Sequence, residues 1–273
     1  MSYYEALGLT KEPFSTSPDP EFFYHSQSHE TVLKRLEIAI RLKRGLSVVF
    51  GDVGAGKTTL SRRLFQSFKG EDDFIFHMIL DPSGKSEFQF LSTLVNIFGI
   101  TTPFKSTMDF KEAIEKYLFQ KAVEEGKTLV LLIDEGQKIS LENLELLRML
   151  LNYETNDYKL LQLVLLAQME LLPRIQRVHN LMDRVAFKYT INPFDETETR
   201  EMIDFRLKQA GYENTTPLFA EEAVRLIYLD TQGYPRKITM LCHEALESLI
   251  MRDLSRVSEA LVQDIISQRM AVA

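Results

Sequence analysis

The sequence contains very little cysteine and no tryptophan. Cys242 is the one cysteine among 273 residues. A single cysteine excludes an intrachain disulfide, which is typical of proteins from a reducing compartment. Cys242 falls on the apolar face of a predicted helix, so we interpret it as a packed core thiol rather than a reactive one.

Long apolar segments are also missing. The longest apolar runs, LVLLI and LVLLA, are far shorter than the ~20 residues that a membrane helix needs. The first ten residues, MSYYEALGLT, lack the basic and apolar regions of a signal peptide. We therefore expect no membrane span in this chain and a cytoplasmic location.

Positive charge is not in excess, because the formal net charge is −7. Residues 195–273 contain 14 acidic and 9 basic side chains, and the remainder contains 25 and 23. This balance does not indicate nucleic acid as a partner, although a local basic patch could still bind it. The compact basic patches, RLKRG at 41–45 and SRR at 61–63, are interpreted as solvated faces.

Short apolar segments alternate with helical patterns up to residue 194. This alternation predicts an α/β fold with a parallel sheet that is covered on both faces. The predicted strands are LSVVF, FIFHMIL, TLVLLID, LLQLVLLA and VAFKYTI. The predicted helices run from a Ser28 cap to Arg44 before Gly45, from about Lys57, and over about 86–98, 109–125 and 140–155.

The two ends of the chain differ from this central pattern. Residues 1–28 are rich in aromatic residues and contain Pro13, Pro18 and Pro20, which predicts an ordered lead-in rather than a helix. After Phe194 the strand patterns stop, and Asp195 with Glu198 resembles a capping box. Four helices are predicted near 196–210, 218–231, 235–252 and 257–269. The predicted division is thus a lead-in (1–28), an α/β domain (29–194) and a small all-helical domain (195–273).

The segment GDVGAGKTT matches the phosphate-binding pattern G-x-x-x-x-G-K-[ST], the Walker A motif, between a strand and a helix. Its glycines allow backbone N–H groups to surround phosphate oxygens at a helix N-terminus. Lys57 would reach the β- and γ-phosphates, and the Thr58 hydroxyl would take a Mg²⁺ position. The predicted nucleotide-binding residues are Gly51, Asp52, Val53, Gly54, Ala55, Gly56, Lys57, Thr58 and Thr59.

The segment LVLLIDE supplies the matching Walker B pattern. Asp134 ends a buried strand and would hold Mg²⁺, through water. Glu135 would polarise the water that attacks the γ-phosphate, as a general base. The sequence therefore predicts an enzyme that uses ATP and Mg²⁺ and converts ATP and water to ADP and phosphate.

These motifs, together with IDEGQK, LRMLLNYET, AQMEL and GYPRKITMLC, resemble an AAA+ ATPase. More narrowly, they resemble the ATPase domain of the general secretion pathway protein A type, whose N-terminal pattern is similar to YYEALGLTKEPFSTSPDPEFFY. Transposition-helper ATPases are a neighbouring group. The resemblance covers nearly the whole chain and implies a five-stranded sheet of order 5-1-4-3-2 with a helical lid.

The resemblance also implies roles for single residues. Gln168 would be the sensor-1 residue that orients the attacking water, and Arg236 the sensor-2 residue that binds the γ-phosphate. That contact would explain why Arg236 and Lys237 lie in the first turn of a helix, where the helix dipole opposes cations. Arg184 would be the arginine finger offered to a neighbouring subunit, with Arg174 and Arg177 as competing candidates.

The sequence departs from the family pattern at several positions. Gly136 stands where alanine is common, Ala167 and Met169 where glycine and proline are usual, and Thr239 where asparagine is usual. Met169 leaves the role of the loop after the fourth strand open.

Three functions share this set of motifs. We favour a Mg²⁺-dependent ATPase that forms a ring or filament with ATP and drives or licenses assembly of a type II secretion or pilus-like envelope complex. Its envelope partner would be a separate chain that could bring it to the inner membrane. The alternatives are an ATP-gated, DNA-binding transposition helper and a slow nucleotide switch, and the motifs do not separate them.

Overall fold

The computed structural model describes residues 3–17, 19–84, 86–101 and 104–272. By contacts, the chain divides into two compact units. The helical unit comprises Met1–Gln27, Gly54–Thr59 and Asn192–Ala273, and the sheet unit comprises Ser28–Val53 and Leu60–Ile191. Pro18 and the predicted outer limits, residues 1 and 273, lie outside the described residues. The three-part domain division stays a prediction.

The sheet unit contains a five-stranded parallel sheet. Its strands are β1 (Leu46–Gly51), β2 (Phe74–Ile79), β3 (Thr128–Ile133), β4 (Leu161–Ala167) and β5 (Val185–Ile191). The order is β2-β3-β4-β1-β5, which confirms the predicted order 5-1-4-3-2. Every residue of β1, β3 and β4 is buried, as expected for central parallel strands that are covered on both faces.

The helices of both units are numbered together in chain order. They are α1 (Tyr3–Ala6), α2 (Gln27–Arg41), α3 (Lys57–Ser67), α4 (Glu87–Phe98), α5 (Thr107–Phe119), α6 (Leu141–Leu150), α7 (Leu172–Arg177), α8 (Glu196–Gln209), α9 (Glu221–Thr231), α10 (Pro235–Met251) and α11 (Glu259–Val272). In the sheet unit, α4, α5 and α6 contribute Phe90, Ile114 and Leu147 to the core that includes Leu131 of β3.

Several predicted helix limits were wrong. Ser28 is the second residue of α2 rather than its cap, and α2 ends at Arg41 because Lys43 and Gly45 adopt positive φ angles of 51° and 91°. The helix predicted to reach residue 155 ends at Leu150, since the chain then turns sharply and Glu154 bridges to Lys159.

Two further limits needed correction. The helix predicted over 109–125 is α5 followed by a π-helical turn, Gln120–Glu124. The helix predicted from residue 218 begins at Glu221, because Phe219 forms a parallel bridge with Val257.

The helical unit buries one side of α8, α9, α10 and α11 around Ile203, Ile227 and Leu246. The capping box predicted at the start of α8 is confirmed: the Asp195 carboxylate accepts from the Glu198 amide at 2.8 Å, and Glu198 accepts from the Asp195 amide at 3.3 Å. The lead-in joins this core through Leu9, Phe14 and Phe22. These contacts attach the N-terminal segment to the helices that follow residue 195.

Cys242 and Arg206 are both buried in this core. Cys242 has no exposed surface, which confirms the interpretation of a packed core thiol, and burial raises the pKa of that thiol. Arg206 donates to the Thr239 hydroxyl at 2.6 Å and to the carbonyl oxygen of Ser15 at 3.0 Å. Burial lowers the pKa of Arg206 to about 10. The arginine thus connects α8, α10 and the lead-in.

Candidate functional site

The predicted phosphate loop lies between the end of β1 at Gly51 and the start of α3 at Lys57. Gly54 and Gly56 have φ angles of +82° and +92°, in the left-handed region that favours glycine. Lys57 is the first residue of α3 and is buried. The first N–H groups of a helix have no intrahelical partner and lie at its positive end, so this segment has the backbone arrangement of an anion site.

Arg236, the predicted sensor-2 residue, lies beside this loop. It is the second residue of α10, and its amide donates to the carbonyl oxygen of Gly54 at 3.3 Å. A Cβ added to Gly54 would lie only 2.9 Å from Cβ of Arg236. Arg236 is exposed. Lys237 is also exposed, with its Nζ 5.1 Å from the centroid of the Tyr234 ring.

The ends of the central strands bring a second group of predicted residues to one edge of the sheet. In the parallel register, Phe50 of β1 pairs with Ala167 of β4, and Ile133 of β3 pairs with Leu165. Gln168 therefore follows β4 beside the end of β1, and Asp134 follows β3 beside β4. Asp134 is buried, and its Oδ1 accepts a hydrogen bond from the Glu135 amide at 2.8 Å.

Glu135, the predicted general base, adopts the left-handed conformation with φ +53°. Its side chain is half-buried, and its Oε2 accepts from Nε2 of Gln137 at 2.9 Å. Lys138 Nζ lies 3.6 Å from the same oxygen and 3.4 Å from Oδ2 of Asp81. The carboxylate therefore has a fixed partner on one oxygen while part of its surface stays exposed.

Gln137 is a site residue that the sequence analysis missed. Its side chain is buried, and its Oε1 accepts from the backbone amide of Gln168 at 3.1 Å. Gln137 thus connects the predicted general base with the predicted sensor-1 residue. The sequence does contain a signal for it, a glutamine two positions after the Asp134–Glu135 pair in the segment IDEGQK, but that segment was used only for the family resemblance.

Two of the departures from the family pattern contact each other. A Cβ added to Gly136 would lie 3.2 Å from Cβ of Ala167 and 3.2 Å from the carbonyl oxygen of Leu166. The absence of a side chain at Gly136 therefore leaves room for the Ala167 methyl group.

The three arginines proposed as fingers differ in their surroundings. Arg184 is half-buried and donates to the carbonyl oxygen of Arg148 at 3.2 Å and to Oδ1 of Asn152. Arg174 donates to the carbonyl oxygens of Gln137 and Ile139 at 2.6 and 3.3 Å. Arg177 is exposed.

The residue types are suitable for Mg²⁺ at a phosphate site. Within residues 3–17, 19–84, 86–101 and 104–272, no group of three His, Cys, Asp or Glu side chains could hold a metal by itself. In nucleotide sites, however, Mg²⁺ usually takes one or two protein oxygens and completes its shell with phosphate and water. The Thr58 hydroxyl and the buried Asp134 carboxylate are oxygen donors of that kind.

Comparison with known proteins identifies the family. A family profile described as an AAA domain matches residues 40–175. General secretion pathway protein A of Aeromonas hydrophila is 32% identical over 260 residues, which cover 93% of this chain and 46% of that protein. The chain belongs to the AAA+ class of P-loop proteins. It spans about half the length of this curated relative, and in the described part of this AAA+ chain no helix has the length and apolar character of a membrane span.

Solved structures show the same fold at low sequence identity. Cdc6p of Pyrobaculum aerophilum has a TM-score of 0.71 at 15% identity, with 91% of this chain and 69% of that chain covered. A variant of RuvB from Thermotoga maritima has a TM-score of 0.59 at 16% identity, with 89% of this chain and 69% of that chain covered. The predicted AAA+ fold and the resemblance to the secretion protein are therefore confirmed, while the roles of single site residues stay predictions.

Proposed function

We propose that this AAA+ protein is a Mg²⁺-dependent ATPase that binds ATP at residues 51–59 and hydrolyses it with Glu135 as general base. The observation that carries the proposal is the glycine loop, whose two left-handed residues lead directly into a helix that begins with Lys57. This is the backbone arrangement that surrounds phosphates in P-loop proteins.

In the proposed mechanism, separate residues bind the phosphates, hold Mg²⁺ and activate the attacking water. The loop amides and Lys57 would bind the phosphates, and the Arg236 guanidinium would bind the γ-phosphate. Thr58 and Asp134 would hold Mg²⁺, which when bound neutralises charge on the phosphate oxygens. The Glu135 carboxylate would accept a proton from the attacking water, and the Gln168 side-chain amide would orient that water.

We further propose that ATP binding drives self-association into a ring or filament and that hydrolysis drives or licenses assembly of a secretion or pilus-like envelope complex. The support is the 32% identity to general secretion pathway protein A along nearly the whole of this chain. Arg184 would complete a neighbouring subunit's site. The envelope partner would be a separate protein, which would bring a cytoplasmic chain to the inner membrane.

The ATPase proposal is tested with Glu135→Gln and Lys57→Ala. Glu135→Gln should keep ATP affinity and lose about 10²–10⁴-fold in hydrolysis, because it removes the base but no phosphate contact. Lys57→Ala should lose ATP binding itself. Nucleotide affinity and steady-state phosphate release are measured on both variants, with Glu142→Gln at an exposed position of α6 as the matched control.

Two outcomes would contradict parts of this proposal. Wild-type hydrolysis by Glu135→Gln would refute the role of that carboxylate as the base. A wild-type protein that binds no ATP would refute the nucleotide site. The assembly role is tested in cells of the organism that encodes the protein. There Glu135→Gln should block assembly of the envelope complex without changing the abundance of the protein.

A further inference from the structure

The Gln137 side chain has two hydrogen-bonding partners, of which one is an acceptor and the other a donor. Its Nε2 donates to the Glu135 carboxylate at 2.9 Å, and its Oε1 accepts from the Gln168 amide at 3.1 Å. A flipped side-chain amide would direct oxygen at a carboxylate and NH₂ at a backbone N–H, and both contacts would be repulsive. The two partners therefore fix the orientation of the Gln137 amide.

The turn that carries Gln137 is itself anchored. Arg174 Nη1 donates to the carbonyl oxygen of Gln137 and also to that of Ile139, two residues further along the chain. Gln137 is only 6% exposed, so bulk water does not readily replace its hydrogen-bonding partners. Backbone and side chain of Gln137 are thus both restrained at the end of the central strands.

Glu135 itself has a left-handed backbone conformation, which is uncommon for residues other than glycine. The Gln137 contact occupies Oε2 of Glu135, which leaves Oε1 as the oxygen for another partner. Lys138 approaches the same Oε2 from 3.6 Å and also contacts Asp81. Of these two contacts, the one from the Gln137 amide is within hydrogen-bond distance at 2.9 Å, whereas the one from Lys138 is longer at 3.6 Å, so the Gln137 amide is the main constraint on the direction of the carboxylate.

We propose that Gln137 is a positioning residue for ATP hydrolysis: its side-chain amide orients the Glu135 carboxylate and couples it to the end of β4 at Gln168. This inference rests on the proposed ATPase function. A general base must lie within hydrogen-bond reach of the proton that it removes, so loss of this orientation lowers the catalytic rate more than ATP binding.

The first test uses Gln137→Glu, which keeps the shape and the acceptor for the Gln168 amide but replaces the donor with a carboxylate. We expect kcat to fall at least ~10-fold while ATP affinity stays within about two-fold, because no phosphate contact changes. Two carboxylates this close disfavour each other's ionisation. The acid limb of the pH profile of kcat should therefore move to higher pH by about one unit or more.

The matched control is Gln162→Glu in β4. Gln162 is also buried and also joins two groups, since it accepts from the Gly45 amide at 2.8 Å and donates to the Lys159 carbonyl at 2.7 Å. Neither of these two hydrogen bonds involves Glu135. Gln162→Glu should leave kcat and the acid limb of its pH profile unchanged.

A second variant, Gln137→Met, tests the role without introducing charge. It should lower kcat at unchanged ATP affinity but leave the acid limb in place, and thermal unfolding of each variant shows whether it is folded. A folded Gln137→Met or Gln137→Glu with wild-type kcat would overturn the inference, as would a variant that changes only ATP affinity. If Gln137→Glu does not fold, Gln137→Met decides by the same criteria.

The two proposals fail in different ways. Hydrolysis by the wild type together with wild-type behaviour of the Gln137 variants would overturn the positioning role alone. A wild type that binds ATP but does not hydrolyse it would overturn the ATPase proposal and this inference together.

Discussion

Gly233 is a position where a single added methyl group should strongly destabilise the helical unit. It precedes α10, has φ +72°, and its carbonyl oxygen accepts from the Phe194 amide at 2.9 Å. A Cβ at this position would lie 1.9 Å from the carbonyl oxygen of Phe194. Since real Cβ atoms stay beyond 3.0 Å, the two backbone segments would have to separate by about 1.1 Å, the difference between these distances.

Three terms give the expected loss of unfolding free energy for Gly233→Ala. The left-handed conformation costs alanine about 1–2 kcal/mol. Weakening the Phe194–Gly233 hydrogen bond costs about 1 kcal/mol. Displacing Phe194, which is 5% exposed and belongs to the core of the helical unit, costs about 1–3 kcal/mol by analogy with overpacking. The expected total is about 3–6 kcal/mol.

Gly8→Ala is the matched control, because Gly8 has φ +75° and a Cβ there would have no atom within 4 Å. It should cost only the backbone term of about 1–2 kcal/mol. Both glycines belong to the helical unit, so both losses can be read from one urea unfolding transition followed by circular dichroism. Equal losses for the two variants would refute the argument from the Phe194 contact.

Two further predictions concern arginines. Arg236→Ala should weaken ATP binding more than ADP binding, because the γ-phosphate is its proposed partner, whereas Lys237→Ala should leave the ratio of ATP to ADP affinity unchanged. Calorimetric titration measures both affinities, and equal losses of ATP and ADP affinity for Arg236→Ala would contradict a contact with the γ-phosphate. Mixing Arg184→Ala with Lys57→Ala should partly restore hydrolysis, since the second variant supplies a finger to the first. An inactive mixture that is shown to co-assemble would exclude Arg184 as a finger that acts between subunits.

The sheet was predictable because its information is local. The buried strands β1, β3 and β4 are predominantly apolar in sequence, and the glycine loop directly follows the first of them. The strand order came from the family resemblance, since sequence spacing alone does not determine it. The end of α6 was not predictable, because Leu151 and Tyr153 continue the helical spacing while a turn closed by Glu154 and Lys159 takes over.

The residues of the candidate site also divide into those that the local sequence reveals and those that it does not. Lys57, Asp134 and Glu135 were selected because motif and neighbouring strand are contiguous in sequence. Gln137 was missed, because one of its two partners, the Gln168 amide, lies 31 residues away along the chain. A buried polar side chain is recognised by the groups that satisfy it, and those groups become known only from the fold.

The Gly136 and Ala167 pair shows how such distant contacts change the meaning of a substitution. Taken singly, each departure from the family pattern suggests a change beside the catalytic residues. In the structure the two positions meet, and a Cβ on both would be separated by only 3.2 Å. Because interiors are close-packed, a methyl group gained at one position is best accommodated where one is absent at the other. Glycine at position 136 therefore leaves room for the Ala167 methyl group where β4 meets the turn that carries Glu135 and Gln137, and an alanine at position 136 would be close to the Leu166 carbonyl oxygen as well, at 3.2 Å.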